Sequence, residues 1–243
     1  MTVGAPLLET QALTKRFGGV LAIDRIDFSV EPRELRCVIG PNGAGKSSFF
    51  KCLTGLARAT SGRVLFMGQD ITRADPCHIA RLGIATKTQV PNVFDGLSVR
   101  ENIWIAANRH SISGVQAMKA SENTIQRLGL STAANAVVGQ LAHGARQWVE
   151  LAMIVVANPK LVLLDEPTAG MSGAEIFRVE KLLNELKSTA TIIVVEHDVK
   201  FIRRIASHVT VLHNGSILIE GPVATVLSDT RVRDVYLGRH SVT

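Results

Sequence analysis

The sequence predicts an α/β fold: a mostly parallel sheet flanked by helices, a small antiparallel β lobe at one side, and an all-helical lobe inserted in the middle. Three observations carry that prediction. Leu35–Ile39 is a short β-prone run, and residues 161–164 and Thr191–Val195 are apolar, partly β-branched runs, as expected of strands buried on both faces of a parallel sheet. Helical patterns over Lys46–Leu53, residues 175–187 and residues 199–206 follow them, giving a strand and helix alternation. Residues 98–156 read as helical throughout, interrupted at Gly114 and Gly129, and so form an insertion in the α/β body.

In chain order, the first third holds short alternating segments at residues 28–30 and 63–67 with turn residues beside them, which predicts the antiparallel lobe. The 35–39 strand runs into a glycine-rich turn and then a helix. The helical lobe follows, and two further strand and helix pairs complete the core. No repeat, low-complexity tract or Pro/Gly/Ser-rich linker divides the chain, so residues 1–243 are expected to form one domain with two lobes.

Composition narrows the function class. With 46% hydrophobic residues the chain can bury a full core, yet its longest apolar runs fall far short of the roughly 20 residues that cross a bilayer. Residues 1–10 carry neither a basic leader nor a continuous apolar segment, so a cytoplasmic location is expected. Cys37, Cys52 and Cys77 have no metal-ligand spacing and are expected as small core residues. The net charge of +6 suits either nucleic acid or an anionic membrane face, but the basic residues are dispersed and only 5% of residues are aromatic, so no nucleic-acid partner is expected.

The chemistry is concentrated at strand ends. Gly40-Pro41-Asn42-Gly43-Ala44-Gly45-Lys46-Ser47 fits GxxxxGK[ST] between a strand and a helix, the phosphate-binding loop of a P-loop NTPase core. Glycines let successive N–H groups face a polyanion, the helix N-terminus adds a favourable dipole, and Lys46 reaches the terminal phosphates. Ser47 offers a hydroxyl to Mg²⁺, and Ser48 follows in the same turn. Two carboxylates, Asp165 and Glu166, stand at the end of the 161–164 run. Asp165 is suited to the Mg²⁺ hydration shell and Glu166 to polarising the attacking water as a general base. The alternative is a solvated acidic turn. His197, at the end of the 191–195 run, can donate to a γ-phosphate oxygen or simply cap the strand.

These pieces in this order resemble the ATP-binding-cassette (ABC) ATPases over essentially the whole chain. The resemblance implies an ATP- and Mg²⁺-dependent ATPase subunit, working against a second ABC ATPase subunit and driving separate transmembrane permease subunits, with a substrate-binding protein acting indirectly. It implies a peripheral position on the inner face of the cell membrane. It also implies that Gln89 contacts Mg²⁺ and water, where the alternative is a plain loop amide. Phe17 is expected to stack on adenine, the alternative being a core residue of the small sheet. The family signature, usually Leu-Ser-Gly-Gly-Gln, here reads Leu141-Ala142-His143-Gly144-Ala145. Ala142, His143 and Gly144 would meet the γ-phosphate held by the facing subunit, but Ala142 and Ala145 lack the hydroxyl and amide.

Further segments, 144–150 with Trp148, 168–172 and Val235-Tyr236-Leu237-Gly238-Arg239, look like the ATPases of branched-chain amino acid and urea importers, with His143 on the urea side. Ser172 replaces the usual aspartate of the loop after the acidic strand, which puts communication through that loop in doubt. An importer of urea, amides or branched-chain amino acids is therefore expected, docked to its permease near residues 89–102. Val90, Val93, Phe94 and Leu97 would form the groove, unless they pack beneath the helical lobe. Two competing readings are a soluble cassette acting on ribosomes or DNA, and a poorly hydrolysing regulatory cassette in a heterodimer.

Overall fold

A computed structural model describes residues 5–110 and 113–237, so residues 1–4, Gly238 and Arg239 lie outside the described residues. The order is β1 (Leu8–Phe17), β2 (Val20–Val30), β3 (Leu35–Ile39), α1 (Lys46–Leu53), β4 (Ser61–Phe66), β5 (Gln69–Asp70), α2 (Pro76–Arg81), β6 (Ile84–Lys87), α3 (Val99–Ala107), α4 (Gly114–Arg127) and α5 (His143–Val156). It continues with β7 (Leu161–Asp165), α6 (Gly173–Leu186), β8 (Thr191–Val195), α7 (Val199–Ile205), β9 (His208–His213), β10 (Ser216–Pro222), α8 (Val223–Ser228) and α9 (Thr230–Leu237). The main sheet has the order β10-β9-β3-β8-β7-β6, parallel except at β10. An antiparallel sheet, β2-β1-β4-β5, forms the side lobe.

Every residue of β3 and β8 is buried, which fits their mainly apolar sequence; the charge of Arg36 in β3 is paired with Glu34 and Glu220. Side-chain alternation sorts the central strands between two cores. Cys37, Val162, Leu164, Ile192 and Val194 face Val149, Ala152, Val179, Leu183 and Ile202 of the helices. Val38, Leu161, Leu163, Ile193 and Val195 face α1 and the antiparallel lobe, where Phe28 and Phe49 meet edge to face at 5.3 Å. Because α5 belongs to the first core, the helical lobe is seated on the sheet edge through the helix that carries the signature. Truncating a fully buried leucine such as Leu163 would cost about 2–5 kcal/mol.

Two expectations need correction. Cys37 and Cys52 are buried but Cys77 is exposed, since it lies on the outer face of the short α2 while Ile79 takes the inward position. Gly114 does not interrupt a helix: it opens α4 directly after Ser113, whose capping box with Gln116 sets the start.

Candidate nucleotide-binding site

Four parallel strands end at one edge of the sheet, and each delivers a candidate site residue there. β3 leads into residues 40–47, β6 into Gln89, β7 into Asp165 and Glu166, and β8 into Glu196 and His197. Gly40 has φ 151°, and a Cβ on it would lie 2.2 Å from the Leu212 carbonyl oxygen of β9, so only glycine lets the chain turn there. The loop closes on itself through Ala44 N–H to the Pro41 carbonyl at 3.2 Å, while Asn42 and Gly43 remain exposed. Helix α1 then starts from Gly45 with no side-chain cap, which leaves its first-turn N–H groups available to an anion. Lys46 Nζ arches over the loop, donating to the Gly40 and Pro41 carbonyls at 2.7 and 3.0 Å. Burial lowers its pKa, opposed by the carboxylates of Glu166 and Asp165.

Ser47, Gln89 and Asp165 line a single cleft of about 300 Å³ together with Lys87 and Thr86. Asp165 Oδ1 is buried without a hydrogen-bond partner among the described residues, and burial together with Glu166 raises its pKa. A hydroxyl, an amide carbonyl and an orphaned carboxylate oxygen are the hard oxygen donors that Mg²⁺ takes, so the residues fit that ion. Gln89 is exposed in this cleft. Glu166 sits at φ 48°, an uncommon backbone conformation for a non-glycine residue, held by its N–H to the Val195 carbonyl at 3.0 Å. Its Oε1 is 3.9 Å from His197 Nδ1. The fold therefore brings together Lys46, Ser47, Asp165, Glu166, Gln89 and His197 at one edge.

The signature stands elsewhere, and its contacts run to residues 169–175. Gln147 Nε2 lies 2.8 Å from His143 Nε2 and donates to the Ala169 carbonyl at 3.1 Å. A Cβ on Gly144 would stand 2.8 Å from Glu175 Oε1, so the α6 carboxylate lies directly against the start of α5. Ser172 caps α6 through a capping box with Glu175. The replacement for the usual aspartate thus has a local helix-starting role directly beneath the signature. Phe17, at the end of β1, is 47% exposed, which removes the alternative of a core residue; Lys15 Nζ lies 4.6 Å over its ring.

Sequence reasoning missed Lys87, which is 1% exposed and borders Asp165 in the cleft. Burial lowers its pKa, while Glu150 and Asp165 act in the opposite sense. Glu150, on α5, accepts from Asn92 N–H at 3.0 Å, and burial raises its pKa to about 7. A lysine closing an apolar strand was the available signal. Glu196, adjacent to His197, is buried and accepts from Thr168 Oγ1 at 2.5 Å, so it braces the loop after the acidic strand.

The sequence pattern of the family described as ABC transporter matches residues 23–169, from β2 through the loop that follows Glu166. The chain belongs to the ABC transporter family. It is the ATP-binding subunit of such a transporter and an ATPase. Among similar ABC proteins, the high-affinity branched-chain amino acid transport ATP-binding protein BraF of Pseudomonas aeruginosa is 32% identical, over 96% of this chain and 98% of its own length. A probable branched-chain amino acid transport ATP-binding protein LivG of Archaeoglobus fulgidus is 33% identical, over 96% and 95%. The crystal structure of the ADP conformation of an ATP-binding cassette of an ABC transporter superposes with a TM-score of 0.84 at 29% identity, covering 97% of this chain and 100% of that one. Among the described residues no helix of this ABC subunit is long and apolar enough to cross a membrane.

Proposed function

We propose that the chain hydrolyses ATP at an interface between two ABC subunits and thereby drives import of branched-chain amino acids, urea or related amides through separate membrane subunits. The observation that carries this reading is the convergence of Lys46, Ser47, Asp165, Glu166 and His197 at one sheet edge, while the signature turn faces residues 169–175. Such a half-site needs a second chain to complete it. In the first half, the loop amides and Lys46 bind the β and γ phosphates of ATP. Mg²⁺, held by Ser47, Asp165 and Gln89, would offset charge on the phosphates. Glu166 takes a proton from the attacking water, and His197 donates to the γ-phosphate. In the second half, Ala142, His143 and Gly144 present the amides of α5 to the γ-phosphate of the facing subunit. Phe17 stacks on the adenine.

A cleft of about 520 Å³ between the helical lobe and the core supports docking of a membrane subunit. Leu56, Ile79, Ala106 and Met153 line it, and Val90 and Phe94 are exposed nearby. Of the four residues expected to form the groove, Val93 instead packs against the helical core and Leu97 is half-buried. The names of the relatives support the branched-chain amino acid class, and His143 in the signature supports urea. On this reading the chain works at the inner face of the cell membrane.

The test is reconstitution with its membrane subunits and binding protein in vesicles supplied with ATP and labelled leucine or urea. ATP-dependent accumulation of one solute, lost in Glu166→Gln, is the expected result. ATPase activity that neither solute stimulates, with no accumulation of either, would overturn the importer assignment.

A further inference from the structure

We propose that Tyr236 is a positioning residue for the phosphate loop, and that through it the C-terminal helix α9 tunes nucleotide affinity. The proposal rests on the reading of residues 40–48 as the triphosphate-binding loop. The Tyr236 hydroxyl accepts a hydrogen bond from Gly40 N–H at 2.8 Å, across 196 positions of sequence. Gly40 is where the β3 ladder stops and the loop begins, because Ile39 is the last residue of that strand paired with β9. At the same residue, the Gly40 carbonyl accepts from Lys46 Nζ at 2.7 Å. Gly40 therefore has α9 on its N–H and the phosphate-binding lysine on its carbonyl. On the third side, the Leu212 backbone leaves no room for even a methyl group.

Helix α9 is built to hold this contact. Val232 and Tyr236 are four residues apart and so share one helix face. Val232 is 4% exposed and belongs to the main core. At the start of the helix, Asp229 accepts from Arg231 N–H at 2.8 Å and pairs with the Arg231 guanidinium. With its first turn fixed and Val232 seated, the helix brings a hydroxyl to the loop. When Lys46 turns to a phosphate it must release the Gly40 carbonyl, and the Tyr236 hydroxyl is then the side-chain contact that keeps the loop in register. Without it, ordering of the loop opposes nucleotide binding.

The full chain tests this as wild type and Tyr236→Phe, by equilibrium ATP binding, steady-state kinetics and melting without nucleotide. Removing one neutral acceptor is expected to raise the ATP dissociation constant and KM about five-fold, with kcat within about two-fold of wild type. Unchanged affinity, or a lower melting temperature with KM unaltered, would overturn the proposal and leave the hydroxyl a purely structural contact. Amide hydrogen exchange on the wild type gives an independent reading that needs no variant. The Gly40 amide should exchange more slowly than those of Asn42 and Gly43, and exchange as fast as theirs would count against the latch. Wild-type protein that binds no ATP would instead sink the loop reading itself, which keeps the two failures apart.

Discussion

The phosphate loop and the signature both present a helix whose first turn has no side-chain cap, α1 behind Gly45 and α5 behind Ala142, but their surroundings differ sharply. Helices α2, α3, α4, α6 and α7 are capped by Asp75, Ser98, Ser113, Ser172 and Asp198, so their amides are already engaged. Around α1 stand a lysine, two carboxylates, a histidine and the amide of Gln89. At α5 the exposed His143 contacts Gln147, and Gly144 lies against Glu175. In the proposed reading one half carries the chemistry and the other offers mainly backbone. Hydrolysis should therefore depend on single side chains in the first half and on geometry in the second.

The most severe test of that contrast is Gly40→Ala. A methyl within 2.2 Å of the Leu212 oxygen must displace backbone, so ATP binding should be abolished or folding impaired, measured by ATP titration alongside circular dichroism. Next is Glu166→Gln, which should lower kcat about 100-fold or more while ATP binding persists. A fall in affinity equal to the fall in rate would mean that Glu166 serves binding instead. Ala142→Ser probes the weaker half. A hydroxyl there restores a contact worth roughly 1.5–3 kcal/mol, so kcat should rise about ten-fold or more, measured with and without a partner ATPase. No change in either assay would remove the argument that Ala142 limits turnover.

The smallest effect is expected at Glu150, which joins α5 to the Gln89 loop through Asn92. Its folded pKa of about 7 lies above the ordinary 4.5, so the native state binds more protons than the unfolded chain between these values. Stability from this group is present at low pH and is lost as pH rises from about 4.5 to about 7. Melting temperature followed across that range should decline in wild type and flatten in Glu150→Gln; identical slopes would refute the assignment.

How much of this was legible in the sequence follows the same division. The bounds of β3, α1 and β8 coincide with their apolar and helical runs, because strands buried on both faces have no solvent side to blur the pattern. β1 was missed. Register shifts between Thr10 and Leu13 and again near Lys15, with Ala12 at φ 45°, break the alternation that marks a half-buried strand. At the site, Lys46, Ser47, Asp165 and Glu166 were readable from local motifs. The Tyr236 contact with Gly40 and the burial of Lys87 were not, since both depend on elements far apart in sequence or on a helix packed over a strand end. Ser172 stands where the family pattern has an aspartate, and its capping box shows that it still starts α6.

Equilibrium binding of ATP in the presence of Mg²⁺ to wild type and to Lys46→Ala most directly tests whether glycine-spaced amides and one lysine make this a nucleotide site. The account predicts saturable binding to wild type and at least about ten-fold weaker binding to the variant. Equal affinity in the two proteins, or no binding to either, would contradict it.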